Sequence, residues 1–296
     1  MDKINVSRIQ DSFKCEVYAH NRWRLGAQPV FEGVPMRIGS AWHAAMESLM
    51  KGGSLDMAHQ AAANVLSTVD ESMLPEKKLD EFIEQSELVR FLIPHVSFPP
   101  EWEILQVETE LQMNLEALDG TIITLRGRPD AVIRWNGKLW HVQHKTTNKS
   151  VSWPFYEQAI ARSFHEAAYT AMLEASKLYP EPVAGTVLLG MRKLSLASAK
   201  KDPQSCFHRA FIPVMDRARA LQTIVRRGSY ILKEDVVFEA DMPLQLLQNR
   251  DSCLGSFKNM PCAFLEVCNG QRKLEDPAYF KHVDPYAVYA EGEETP

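Results

Sequence analysis

No apolar run in this 296-residue chain approaches the ~20 residues that a membrane-spanning helix needs. The opening residues, MDKINVSRIQDSF, also lack the apolar core of a signal peptide. A cytoplasmic protein with no membrane partner is therefore expected. A basic excess is missing as well. The net charge is −5 and the sequence pI about 6.0, which excludes a protein that wraps nucleic acid by bulk charge. Any such contact must come from local patches: Lys145 with Lys149, Arg192 and Lys193 with Lys200 and Lys201, or Arg226 with Arg227. Each of these could equally be solvated surface. Internal repeats and low-complexity segments are absent, and only the tail at 286–296, with its EGEETP, reads as disordered. Cysteine is scarce, at five residues. In a reducing compartment clustered thiols point to metal more than to disulfide.

The chain is 45% hydrophobic and long enough for one large domain or two small ones. Helical spacing is expected over 6–25 and over 37–50, where Ile38, Trp42, Ala45 and Leu49 recur. Further helices are expected over 54–70 and 76–93, closed by Pro75 and Pro94. Residues 102–146 then alternate as a β-meander, with Asn136-Gly137 as a hairpin turn. A helix over about 155–177, strands at 184–191 and 206–214, and a helix over 215–233 follow. That order predicts an α/β (α+β) fold: a central mixed sheet flanked by helices, with a helical insertion ahead of the meander.

The stretch GRPDAVIRWNGKLWHVQHKTT, residues 127–147, is where chemistry concentrates. Asp130 opens one hairpin strand, and Gln143 and Lys145 lie two apart on the returning strand, so they share a face. Phosphodiester hydrolysis needs a divalent ion, oxygen ligands for it, and a cation near the developing charge. A carboxylate, a second oxygen ligand and a lysine meet that need, although an ordinary exposed hairpin would carry the same residue types.

With GSAWHAAME (39–47), GRPD (127–130), VQHKTT (142–147), HEAAY (165–169) and one early plus three late cysteines, in that order, the chain resembles the PD-(D/E)XK nuclease superfamily. Within it, the likeness is to the RecB-type branch with an iron–sulfur cluster, which includes CRISPR-associated exonucleases and phage relatives. The resemblance implies a restriction-endonuclease-like core and a single nuclease domain over 1–296. Residues 1–36 and 245–275 would bind the cluster, 37–100 form a helical part, and 101–240 the core. It also implies His43, Asp130 and the His144 main-chain carbonyl as ligands of Mg²⁺ or Mn²⁺, and Lys145 as the residue that positions water. Either Glu108 or Glu110 would be the additional glutamate, with Glu110 preferred. Tyr169 would belong to the helix that contacts DNA, where His165 stands in place of the family's glutamine.

At 143 the family has Glu or Asp, and this chain has Gln. Its oxygen is a hard ligand without charge, so it should hold the ion weakly and accept no proton. An active but weakened site is expected, with a non-catalytic relic as the alternative. Cys15, Cys253, Cys262 and Cys268 could hold Zn²⁺ or [4Fe–4S] by spacing alone; the resemblance favours [4Fe–4S]. Cys206 reads as a buried small apolar residue. The reading that results is a deoxyribonuclease, exonucleolytic on DNA ends or single strands, in recombination, repair or phage DNA processing. A recombination protein or a second copy could be its partner. Segments 54–93 would cover the strand channel, and Trp153 and Phe155 could stack on bases. A DNA-binding assembly protein and an RNA nuclease are the competing readings.

Overall fold

The computed structural model describes residues 3–29, 33–69, 71, 74–148, 152–213, 217–239, 262, 264–268 and 271–284. Along them run β1 (Lys3–Asn5), α1 (Val6–Lys14), α2 (Glu16–Ala19, continued by a π-helical turn at His20–Arg24), β2 (Ala27–Pro29) and α3 (Val34–Met50). Then come α4 (Leu55–Leu66), α5 (Glu76–Leu92), β3 (Glu103–Val107), β4 (Leu111–Glu116), β5 (Ile122–Gly127), β6 (Ala131–Trp135) and β7 (Lys138–Asn148). The rest are α6 (Trp153–Ala161), α7 (Phe164–Ser176), β8 (Val183–Lys193), α8 (Leu196–Lys201), β9 (Phe207–Pro213), α9 (Arg217–Glu239), a short α10 (Leu265–Cys268) and β10 (Phe280–His282). They fall into two units, one of residues 1–31, 112–127 and 218–296, the other of 32–111 and 128–217.

The second unit is built on a five-stranded sheet of order β3-β6-β7-β8-β9. β7 and β8 are parallel and every other pair is antiparallel. The parallel pair requires a crossover, which α6 and α7 supply. Alternation along β8 divides the core: Val187 packs with Met50, Trp102 and Trp140, whereas Leu188 packs with Ile160 of α6. Helices therefore cover both faces, as the order of predicted elements implies. Helix α3 has Pro35 in its first turn and buries Ile38, Ala41, Trp42, Ala45 and Met46 at helical spacing. The β6–β7 turn has Asn136 at φ 50° and Gly137 at φ 67°, the two left-handed residues that a tight hairpin of right-handed twist demands. Cys206 is fully buried in the helix-side core, matching its expected role.

Three expected elements are interrupted. The helix over 6–25 stops at Cys15, whose backbone is extended (φ −163°, ψ 124°). The helix over 155–177 parts at Ser163, which leaves helical ψ. The alternating run EILQVETELQMNL divides at Glu108, at φ 54°, so that β3 joins the five-stranded sheet and β4 a separate one. The expected meander is thus shared between two sheets.

The first unit holds the sheet β1-β5-β4, with β1 parallel to β5. Asn5 caps α1 by accepting the Arg8 amide at 2.5 Å. Arg227 of α9 donates to Ser12 Oγ and to Glu16 Oε1, the latter at 2.7 Å. β2 and β10 pair antiparallel, and Phe264 stacks on Phe280 with centroids 5.4 Å apart. Gly26, at φ +67°, precedes β2, and a Cβ there would lie 2.1 Å from the Val283 carbonyl oxygen. Gly26→Ala should therefore cost at least about 2 kcal/mol of unfolding free energy through clash and strain together. Gly120→Ala, at φ +80° with open space around it, should cost only the strain, about 1 kcal/mol. Denaturant melts of the two variants test this, and equal losses would contradict it.

Candidate active site

Gly39 brings α3 close to β7, since a Cβ at this position would lie 3.3 Å from Thr146 Oγ1. One turn further along α3, His43 Nδ1 stands 3.7 Å from Asp130 Oδ2. Asp130 precedes β6, and its Oδ2 accepts the His144 main-chain N–H at 2.5 Å, tying the start of one hairpin strand to the end of the other. His43 also interacts with the His144 main chain. Removal from solvent lowers the His43 pKa, with Asp130 opposing and Lys145 reinforcing, so the ring is held neutral, the state in which imidazole ligates metal. The His144 ring is buried on the opposite side of β7 from its sequence neighbours, and burial pushes its pKa down to about 4.

Lys145 Nζ donates to Gln143 Oε1 at 2.9 Å, while the buried Gln143 Nε2 has no hydrogen-bond partner. The oxygen expected to face a metal thus holds the lysine. The Glu108 carboxyl feels Asp130. Desolvation first, and then the Asp130 charge, push its pKa up to about 7, against the pull of Arg128, whose Nε lies 2.8 Å from Glu108 Oε2. The Glu108 amide also donates to the Asp130 carbonyl at 3.0 Å. Glu110, half-buried, lies between Glu108, at φ 54°, and the start of β4.

The model of the PD-(D/E)XK nuclease superfamily matches residues 3–269 of this chain. The chain belongs to that superfamily. Membership implies an enzyme that cleaves phosphodiester bonds in nucleic acid, in a family that typically uses Mg²⁺ or Mn²⁺. No curated protein matches. Among solved structures, one titled "Crystal structure of SSO0001" is 14% identical and aligns over 73% of this chain and 89% of its own, at a TM-score of 0.28. No helix among the described residues is long and apolar enough to cross a membrane.

Pro129-Asp130 and Gln143-His144-Lys145 spell the superfamily's motif with one letter changed. Among the described residues no group of three or more His, Cys, Asp or Glu side chains gathers as a metal site. The donors on hand are the His43 and Asp130 side chains and the His144 main chain, with Glu108 beside Asp130. That set is hard and oxygen-rich, and it fits a Mg²⁺ or Mn²⁺ ion. Tyr169 is buried, its ring 4.4 Å from His165 and 5.9 Å from His141.

Two buried residues escaped the sequence reading. His141 shares the face of Gln143 and Lys145. Its Nε2 lies 3.0 Å from Thr186 Oγ1 and 3.2 Å from Thr170 Oγ1, and its Nδ1 3.6 Å from Glu166 Oε2. Burial alone would raise the Glu166 carboxyl, but His165, His141 and Lys145 outweigh it and keep the group ionised. The i, i+2, i+4 spacing of 141, 143 and 145 was the available signal for His141. Glu166 had none beyond its place beside His165.

Trp153 stacks on His208 at 4.4 Å, the Arg192 guanidinium lies over the Trp153 ring at 5.2 Å from its centroid, and Phe155 is exposed. Cys15 is buried at the break between α1 and α2. Tyr18, three residues on, meets Phe264 edge-on at 5.4 Å, and Cys262 and Cys268 pack against that same aromatic cluster. Cys253, Lys149 and the tail 286–296 lie outside the described residues.

Glu108 sets a pH dependence for the metal-free protein. Its folded-state pKa is raised above the ordinary carboxyl value of 4.5 to about 7. Its stabilising contribution is therefore complete below about pH 4.5 and is lost as pH rises through about 7. In chelator, Glu108→Gln should gain stability relative to the parent across that window. Urea melts at several pH values measure the difference; a gap independent of pH would show that Glu108 is an ordinary surface acid.

Proposed function

We propose that this chain is a metal-dependent deoxyribonuclease of the RecB type, exonucleolytic on DNA ends or single strands, with a structural [4Fe–4S] cluster. The observation that supports it is the meeting of His43, Asp130 and the His144 main chain beside Lys145. His43, Asp130 and the His144 carbonyl would hold Mg²⁺ or Mn²⁺, with Glu108 or Glu110 as the additional glutamate. When bound, the ion polarises the phosphoryl oxygen and lowers the pKa of water. Lys145 places its ammonium where negative charge develops, and the Gln143 oxygen aims that ammonium. Asp130, fixed by the His144 amide, cannot swing away from the site. Recombination, repair or phage DNA processing in the cytoplasm is the setting this activity suits, with a recombination protein or a second copy as partner.

A second reading has one specific observation behind it. Gln143 offers no charge, and its oxygen is already taken by Lys145, as a DNA-binding relic of a nuclease would allow. A time course with end-labelled linear DNA, circular DNA and RNA, in Mg²⁺ or Mn²⁺, separates the readings. Loss of end label without cutting of circles is the expected result. Asp130→Ala and Lys145→Ala should each slow cleavage by on the order of 10²-fold or more without loss of fold. Gln143→Glu should reach half-maximal rate at lower metal concentration. Parent-like cleavage by both alanine variants would place the site elsewhere, and a parent inert with every ion would favour the relic.

The cluster reading rests on the sequence, with Cys15, Cys253, Cys262 and Cys268 as its ligands; Cys262 and Cys268 pack on the Phe264 cluster that Tyr18 meets, and the three described thiols do not gather as a metal group. Protein purified without oxygen should be brown and contain about four irons per chain. Cys268→Ala should lose iron and solubility together. Stoichiometric zinc from iron-rich medium would overturn the assignment.

A further inference from the structure

Beside the metal-ligand candidates lies a cavity of about 240 Å³ that nothing in the proposed chemistry uses. One wall is aromatic and apolar: Trp42 and Met46 of α3, Phe98, and Phe207 at the start of β9, with Trp42 and Phe207 rings 6.1 Å apart. The rest of the lining is largely polar: His144, only 2% exposed, with His95, Ser97, Gln204, His208 and Arg209. Both nitrogens of the His144 ring lack a hydrogen-bond partner. An unpartnered buried imidazole is costly, on the order of 1–3 kcal/mol, unless something supplies the missing bond. His144 also faces two ways. Its main chain meets Asp130 and His43, and its ring, 5.8 Å from the His43 ring, borders the cavity.

We propose that this cavity receives one unpaired nucleobase of the nucleic-acid strand, stacked against the Trp42–Phe207 wall and hydrogen-bonded at its edge by the His144 ring. The inference rests on the nuclease reading of the neighbouring residues and names what that site takes: a strand whose base can leave the helix stack. The volume suits roughly one planar base and not a base pair. Planar apolar walls recognise any base by its face, and a ring nitrogen that can donate or accept recognises its edge. The position, on the side of β7 that faces His43, sets the base next to the candidate metal ligands His43 and Asp130.

The test is made on binding, in chelator, so that no cleavage occurs. Single-stranded oligonucleotides with a terminal 2-aminopurine should change fluorescence on binding, as a stacked base does. The same oligonucleotide with an abasic terminus should bind at least about fivefold more weakly, the low end of the value of one stacked base. Phe207→Ala should erase that difference, and so should His144→Leu, which keeps the main chain that faces Asp130. An abasic strand bound as tightly as the intact one by the parent protein overturns the proposal without the aid of any variant. The outcome is separate from that of the nuclease reading. Base discrimination by a protein that cleaves nothing would leave the pocket standing and the catalysis fallen; cleavage without discrimination would do the reverse.

Discussion

The site depends on one constraint: β7 is the middle strand of a five-stranded sheet, buried on both faces, and yet it carries His141, Gln143, His144 and Lys145. A strand in that position is ordinarily a near-continuous apolar run. Each polar group there must be paired or must cost on the order of 1–3 kcal/mol. Some of the demand is met locally. Lys145 donates to the Gln143 oxygen, Thr170 and Thr186 serve His141, and Asp130 takes the His144 amide. On this strand Gln143 Nε2 and both ring nitrogens of His144 have no hydrogen-bond partner. Buried polar atoms without partners are uncommon in folded proteins, and the His144 ring borders the cavity beside α3.

The charges at the site explain how a glutamine is tolerated at 143. Asp130 and Glu108 already share a poorly solvated space, and Glu108 responds by holding its proton up to about pH 7. A third carboxylate would deepen that repulsion whenever the ion is absent. Glutamine keeps the hydrogen bond to Lys145 and adds no charge, so under the proposed nuclease reading it would favour the metal-free fold at the expense of metal affinity. Such exchanges between stability and function are common at active sites. The ionised Glu166, buried nearby, contributes the negative field that a half-buried lysine needs.

How far the sequence could be read follows from the range of the forces involved. The hairpin was legible because Asn136-Gly137 states its own backbone conformation. Helix α3 was legible from spacing, whereas His43 was singled out by the resemblance alone. The partition of 102–116 between two sheets was not, because it turns on Glu108 at φ 54°, a conformation that a glutamate does not advertise. The pattern offered both Glu108 and Glu110 as the additional glutamate, and the fold shows Glu108 in electrostatic contact with Asp130. Glu166 was invisible because its partners come from β7 and β8, 20 to 25 residues away, and no local pattern records them.

In the first unit the problem is one of loop closure. Arg227 and Glu16 are separated by 211 residues, and joining such distant points costs about 5 kcal/mol of chain entropy. A single ion pair between partly buried side chains returns less than that. The closure therefore relies on many contacts made together: α9 against Ser12 and Glu16, β2 with β10, and Phe264 between Tyr18 and Phe280. The thiols of Cys15, Cys262 and Cys268 stand on these same elements. A centre ligated from both ends of the chain would close the loop with bonds far stronger than any of these contacts. The first unit is where such a centre adds most, because the second is already held by a five-stranded sheet covered on both faces.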